Sequence, residues 1–289
     1  MNNTLISMDE KKNFRVYTAY ATEMVEKMRN IHNTSPTASA ALGRVIICTS
    51  LMGLMLKGES NKLTTIVKGG GPAGQIMAVS NWKGNVKGYI QNPNVEVPLK
   101  SEGKLDVGAA VGREGTLTVI KDLGLREPYV GNSKLISGEI AEDFTAYFAY
   151  SEQQPSSVML GVLVDTDYSI KAAGGCIIQV MPNAQEEIIS KLEEKVASFS
   201  SITGLMKDSV RELHDALFDG FKMNILEEKN VDYKCDCAWE RFESALISLG
   251  KEELEKIYDE DEEAELICQF CLKKYHFDRK HLKRILSEI

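Results

Sequence analysis

Cysteine offers the most chemistry in this sequence, and four of its six cysteines stand close together near the C-terminal end, as Cys235-Asp236-Cys237 and Cys268-Gln269-Phe270-Cys271. Two close pairs of thiols suit a zinc site, two disulfides or a redox centre. In an extended CxC the side chains at i and i+2 point the same way, and a CxxC turn gathers two sulfurs on one edge. Two such edges close a tetrahedron, and four thiolates suit Zn²⁺ in a structural coordination that leaves no open position for catalysis. A CxxC read by itself suggests a thioredoxin-like oxidoreductase. That motif, however, follows a strand at a helix start within a βαβ pattern, which is not its setting here.

Other candidates are weaker. His276 and His281 flank the CxxC, but with four thiolates at hand neither is needed as a ligand. Cys48 lies in an apolar run and Cys176 follows "AAGG" in a strand-like one, so both read as inert core thiols. "KGGGPAG" at 68–74 has the glycines of a phosphate loop without its Lys-Ser/Thr pair, and leads into the strand-like "QIMAVS"; a hairpin turn is expected.

The elements that must position the thiols follow from composition. At 289 residues the chain can bury a substantial core and exceeds the usual single-domain size, so disulfides are not needed for folding. The N-terminus, "MNNTLISMDEKKNFRVY", carries no basic segment followed by an apolar one, and a cytoplasmic location is expected; there a cysteine cluster reads first as metal-binding or redox chemistry. The net charge of −8 opposes binding to a nucleic-acid backbone. The longest apolar run, "VIICTSLMGLML" at 45–56, is too short to span a bilayer; with Ser35 as N-cap, Pro36 at N1 and Gly58 beyond its end, it predicts a long buried helix.

Of the 22 glycines, 17 lie between Gly58 and Gly175 among short β-rich runs such as "KLTTIVKG" and "GTLTVIKD", which marks a turn-rich sheet region. After Pro182 helical periodicity takes over. Asn183 with Glu186 opens one amphipathic helix whose apolar face is Ile188, Leu192, Val196 and Phe199; Ser209 with Glu212 opens another, with Val210, Leu213 and Leu217. These helices, within 183–222, are too short to bury both faces between themselves, so they must lean on something, and the cysteine unit is the expected support. That unit holds a helix from Trp239 to Leu249 ended by Gly250, an amphipathic segment with Leu254, Ile257 and Tyr258, and a last helix capped by Asp278 with Leu282, Ile285 and Ile289 inward. A unit of this size is marginal without a staple. The acidic run "YDEDEEAE" at 258–265 and the basic residues after Cys271 read as solvated surface. The expected class is α+β: a sheet-rich core domain with a long buried helix over 1–182, a helical linker region over 183–231, and a small four-cysteine zinc domain over 232–289.

Together, "RVYTAYATEMVE", "SPTASAALGRVI", "KGGGPAGQI", "GNVKGYIQNPNVEVPL", "GKLDVGAAVGREGTLTVIKDLGLREPYVG", "GEIAEDFTAYFAYSEQQPSSVMLGVLV" and "AAGGCIIQVMP", in this order before the CxC and CxxC, resemble the redox-regulated 33-kDa heat-shock chaperonin family over about residues 14–277. The resemblance implies an ATP-independent cytosolic holdase, not an enzyme, whose partners are unfolding client proteins and, on oxidation, a second copy of itself. Neither nucleic acid nor membrane is implied. Cys235, Cys237, Cys268 and Cys271 would hold zinc when reduced, and would pair as Cys235 with Cys237 and Cys268 with Cys271 when oxidised. The client-binding candidates are Ile188, Leu192, Val196, Phe199, Val210, Leu213 and Leu217. A Ser is common in the family directly after the CxC; here Ala238 and Trp239 follow, a departure that spares the ligands.

Such a switch is physically reasonable. Zinc keeps sulfurs as thiolates, the oxidisable form, and a structural zinc contributes on the order of 10 kcal/mol or more to the fold around it. A disulfide within a CxC closes a very small ring and is expected to be readily reduced again. Two readings from other classes stand beside it: a thiol-disulfide oxidoreductase, which would turn over small disulfides without losing metal, and a zinc-ribbon nucleic-acid binder, whose binding would fall steeply with salt.

Overall fold

The computed structural model describes residues 2–199 and 201–289 and divides them into two compact units, one running up to Lys234 and the other Cys235–Ile289. The first is built on two five-stranded antiparallel sheets. One contains β1 (Asn3–Asp9), β2 (Phe14–Tyr20), β8 (Ser156–Val164), β9 (Ile170–Val180) and β10 (Met223–Asn230), in the order β10-β1-β2-β9-β8. The other contains β3 (Lys62–Lys68), β4 (Ile76–Asn81), β5 (Val86–Ile90), β6 (Thr116–Asp122) and β7 (Tyr129–Lys134), in the order β5-β4-β3-β6-β7. Helices α1 (Thr22–His32), α2 (Pro36–Gly53), α3 (Val107–Val111) and α4 (Ala141–Tyr150) complete the body, and α5 (Glu186–Ala197) and α6 (Val210–Leu217) follow β9.

Helix α2 packs against strands of both sheets, and only Pro36 and Arg44 of its residues are not buried. Its start is the expected one: Ser35 Oγ accepts from Ala38 N, and Pro36 occupies the first turn. An all-round apolar helix has no solvent face to offer and must be enclosed. Its few hydroxyls are satisfied internally, Thr49 with the Val45 carbonyl at 2.7 Å and Ser50 with the Gly84 carbonyl at 2.6 Å. Close approach to β8 needs Gly43, where a Cβ would meet Val162 and Val25 at 2.9 Å. The helix stops at Gly53, short of Gly58, because the next residues turn back onto its last carbonyls.

The sheet containing β2 and β9 is apolar on both faces. Tyr17, Ala19 and Ile177 face the α2 core, while Phe14, Val16, Cys176 and Ile178 form a second core with Leu192 of α5 and Leu213 and Leu217 of α6. The two amphipathic helices thus find their support on the outer face of this sheet. Helix α6 is capped as expected, Ser209 Oγ accepting from Glu212 N, but α5 has Gln185 as N-cap with no side-chain cap, and Asn13 Oδ1 accepts the Gln185 N–H at 2.8 Å instead of Asn183 opening the helix. Strand β10, within the stretch expected to be helical, pairs antiparallel with β1.

The "KGGGPAG" segment joins β3 to β4 as a hairpin connection. Two of its amides are committed to the end of α3: Gly71 N donates to the Val111 carbonyl and Ala73 N to the Ala110 carbonyl, both at 2.9 Å.

The second unit contains α7 (Trp239–Ile247), α8 (Lys251–Lys256), the hairpin β11 (Ala264–Ile267) and β12 (Lys274–Phe277), and α9 (Arg279–Glu288). Gly250, at φ +88°, ends the first helix region, and Asp278 caps α9 by accepting from His281 N. Leu246, Leu254, Phe277, Leu282 and Ile285 are buried around Trp239 and Phe242; Ile289, expected inward, is exposed at the chain end. The acidic run meets the basic tail within this unit, Glu262 with Arg279 at 2.7 Å and Glu265 with Lys274 at 2.9 Å. No helix among the described residues is long and apolar enough to cross a membrane.

Candidate metal centre and the helices on the sheet

The four cysteines come from two loops. Cys235 and Cys237 lie in an unpaired segment that leads into α7, and Cys268 and Cys271 form the tip between β11 and β12. The tip is a tight knuckle: Cys268 N donates to the Lys273 carbonyl at 3.0 Å, Leu272 N donates to the Cys268 carbonyl at 2.8 Å, and Leu272 takes a φ of +57° to close it. The aromatic residues next to it form the floor, with Trp239 against Phe277 and Phe242 stacked on Tyr275, each at 4.2 Å between ring centroids.

All four Sγ atoms lie within 4.8 Å of one another, with Cys235 to Cys268 at 3.7 Å and Cys237 to Cys271 at 3.4 Å. All four are free thiols. A tetrahedral zinc with bonds of about 2.3 Å sets its sulfurs about 3.8 Å apart, so the donor set and its spacing fit such an ion. Neither histidine belongs to the cluster. His276 sits 3.5 Å from Glu263, and His281 pairs with Asp278 while its ring lies beside Trp239.

The sulfurs are electrostatically unequal. Burial raises the Cys237 thiol, but donation from the Tyr275 hydroxyl at 3.1 Å and from the Cys271, Cys235 and Cys268 thiols outweighs it and brings Cys237 down to about 7. Burial raises Cys235 and Cys271, against the N–H groups of Cys237 and Lys273 that point at their sulfurs. Sequence reasoning missed Tyr275; its alternation with Phe277 in "KYHF" signals an inward ring but not the hydroxyl contact.

The other thiols are placed as expected. Cys48 is fully buried in α2, and burial holds its thiol well above the ordinary value; Cys176 is fully buried in β9 and is pushed up to about 12 by burial, slightly relieved by a backbone bond with Met159.

Six of the seven apolar residues proposed for client contact come together in one core. Leu192, Val210, Leu213 and Leu217 are buried, and Ile188, Val196 and Phe199 are partly buried. All but Val210 belong to the core over Phe14, Val16, Cys176 and Ile178. A polar contact unforeseen from the sequence lies in the same seam, Ser7 of β1 with His214 of α6, both buried. Their separation of about two hundred residues leaves no local signal.

Comparison with known proteins places these features in a family. The profile described as Hsp33 protein matches residues 3–278. The 33 kDa chaperonin of Alkaliphilus metalliredigens is 53% identical over 95% of this chain and 95% of its own, and that of Clostridioides difficile is 52% identical with the same coverage. The solved structure of the 33 kDa chaperonin (heat shock protein 33 homolog) from Thermotoga maritima superposes with a TM-score of 0.91 at 35% identity, covering 99% of this chain and 98% of that one.

Proposed function

From the premise that the chain belongs to the Hsp33 family of chaperones, we propose that it is a redox-regulated, ATP-independent holdase of the cytosol that binds unfolding proteins and turns nothing over. The observation that carries this reading is the four-sulfur cluster, made by two loops far apart in sequence. In functional terms the core is 1–182, the linker 183–231 and the switch 232–289.

In the reduced state Cys235, Cys237, Cys268 and Cys271 would hold zinc, which when bound supplies charge neutralisation for four thiolates and a staple for a small unit. Oxidation pairs Cys235 with Cys237 and Cys268 with Cys271. For each pair two thiolate sulfurs give up two electrons to one hydrogen peroxide, which takes up two protons from solvent and leaves as two waters. The sulfurs are then no longer available as ligands, and the aromatic core of 235–289 must stand without its staple.

The segment Val231–Lys234 runs directly into Cys235, and it is sewn to the first unit: Tyr233 is buried with its hydroxyl donating to the Gly88 carbonyl at 2.6 Å, and Lys234 N donates to the Val86 carbonyl at 2.8 Å. Unfolding that starts at Cys235 pulls on this anchor and on β10 before it. Loss of β10 and the helices ahead of it would free the faces of α5 and α6 and, beneath them, Phe14, Val16 and Ile178. Client capture then proceeds by burial of apolar surface, which needs no specific sequence in the client.

The test is dilution of a chemically unfolded client into buffer without nucleotide, followed by light scattering. The oxidised protein should suppress aggregation and the reduced one should not. Turnover of a small disulfide by protein that keeps its metal would support the oxidoreductase reading instead.

A further inference from the structure

Gly161 of β8 and Gly174 of β9 stand directly opposite each other in the ladder. The alternation of a strand puts Gly174 on the same face as Cys176, the face that carries the linker helices. Two side chains are missing there at neighbouring positions, which leaves a notch, and the linker fills it. A Cβ on Gly161 would meet Ile202 and Thr203, each at 2.7 Å, and a Cβ on Gly174 would meet the Sδ and Cε atoms of Met206, each at 3.1 Å. These residues belong to the short 3-10 turn Thr203–Leu205 and its flanks, between α5 and α6, and the turn packs on β8, β9 and α6. The stretch between the two helices is therefore seated on the sheet through this plug.

Met206 is the oxidisable member of the plug. It is only partly buried, so solvent reaches it, whereas Met24, Met28 and Met52 are enclosed in the α2 core. A thioether packs as a flexible hydrophobe, but its sulfoxide is polar and disrupts the apolar contacts it came from. Around Met206 the second core offers Ile202 and Leu205, both apolar. A sulfoxide oxygen held among them costs the burial of an unpaired acceptor, and lifting the plug out of the notch relieves that cost.

We propose that Met206 is a second oxidation site of this protein, separate from the four cysteines, whose sulfoxide loosens the linker on the sheet and primes it for the next activation. This rests on the reading above, in which release of the linker is part of activation. The oxidant is hydrogen peroxide. A lone pair of the thioether sulfur forms a bond to one peroxide oxygen, the O–O bond breaks, and the other oxygen leaves as water with both protons. The sulfur is oxidised by two electrons and the peroxide is reduced by them. The two sites differ in how they are reversed: a thiol reductant restores the cysteines, whereas a sulfoxide needs a dedicated reductase. Met206 therefore stays oxidised after the cysteine switch has been reset.

The experiment takes the full chain through two rounds. Reduced, zinc-loaded protein is treated with peroxide and mild heat until zinc is lost, reset with dithiothreitol and zinc, desalted, and treated again. Peptide mass analysis should find Met206 carrying one added oxygen after the first round. Hydrogen exchange across 201–217 should be faster in the reset protein than in protein never oxidised, by on the order of tenfold for one unpaired polar atom in the seam. Client suppression should develop faster in the second round than in the first. Met206→Leu should behave alike in both rounds, which separates Met206 from Met159 and Met223 at the border of the same core. Met206→Gln, polar from the outset, should bind zinc normally and show the faster exchange before any oxidation. An unoxidised Met206 at the point of zinc loss, unchanged exchange in the reset natural protein, a second round no faster than the first, or a gain that persists in Met206→Leu would each overturn the assignment. The exchange comparison needs no client, so a protein that never holds clients fails the holdase reading, while unchanged exchange fails this one.

Discussion

Ser7 Oγ and His214 Nε2 lie 2.8 Å apart in the seam where α6 rests on β1. His214 Nδ1 faces Asp215 at 3.4 Å, and an acidic neighbour there favours the tautomer with its proton on Nδ1, leaving Nε2 to accept from the serine hydroxyl. The histidine lowers the cost of burying the serine and fixes the linker helix in register on the sheet. Burial favours the neutral ring in this position.

This gives a dependence on pH. Burial holds the His214 pKa below its ordinary 6.5, only partly offset by Asp215. In the unfolded chain the ring takes up a proton as pH falls through about 6.5; in the folded chain it does so only at lower pH. Stability is therefore fully present above the unfolded value and lost as pH drops toward the folded one. Thermal unfolding of the first unit between pH 7.5 and 5 should show a steeper decline for the natural protein than for His214→Gln. Parallel curves would remove His214 from this role.

At the sulfur cluster the ligands and their neighbour should separate. Cys268→Ser removes a donor, and stoichiometric, tight zinc in that variant would sink the assignment. Tyr275→Phe keeps the ring on Phe242 and removes only the hydroxyl that reaches Cys237. Loss of such an outer contact costs about 10–100-fold in metal affinity. Competition against a chromogenic chelator should place Tyr275→Phe in that range, with its stoichiometry intact.

Cys48 and Cys176 should take no part in the switch. Both are fully buried and hold their thiols protonated at neutral pH. The double Ala variant is expected to be less stable because two small core side chains are truncated, yet to activate with peroxide on the same time course. Abolished activation would show that one of them is a working thiol.

Much of this organisation is legible in the sequence, and what is not fails for identifiable reasons. Ser35, Pro36 and an unbroken apolar run announce α2 because capping and enclosure are both local in their signature. The CxC and CxxC announce their cluster because ligand spacing is chemical. Strand β10 is hidden: "MNILEEKN" shows no alternation, since it is an edge strand whose attachment to β1 is made by the backbone and whose side chains stay largely exposed. The support for α5 and α6 is hidden as well, because β2 and β9 carry apolar residues on both faces, so no clean alternation marks Phe14, Val16, Cys176 and Ile178 as a second surface.

That second surface sets an expectation for the linker. Hydrogen exchange across 183–222 should accelerate after peroxide and mild heat together with that of 235–289, while α2 and the inner strands stay protected. Val196→Glu, at a partly buried site on α5, should loosen the same segment in the reduced protein and weaken client holding in the oxidised one. Unchanged exchange in 183–222 when zinc is lost would remove the linker from the switch.

The central claim joins metal content to client binding, so the most direct test measures both in one sample. The reduced protein is assayed for bound zinc and for suppression of client aggregation, treated with peroxide at elevated temperature, and assayed again at intervals. One zinc per chain at the start, falling to none as suppression rises on the same time course and returning with reductant and added zinc, is the expected result. Full suppression while zinc is still bound, or complete zinc loss with no gain in suppression, would contradict it.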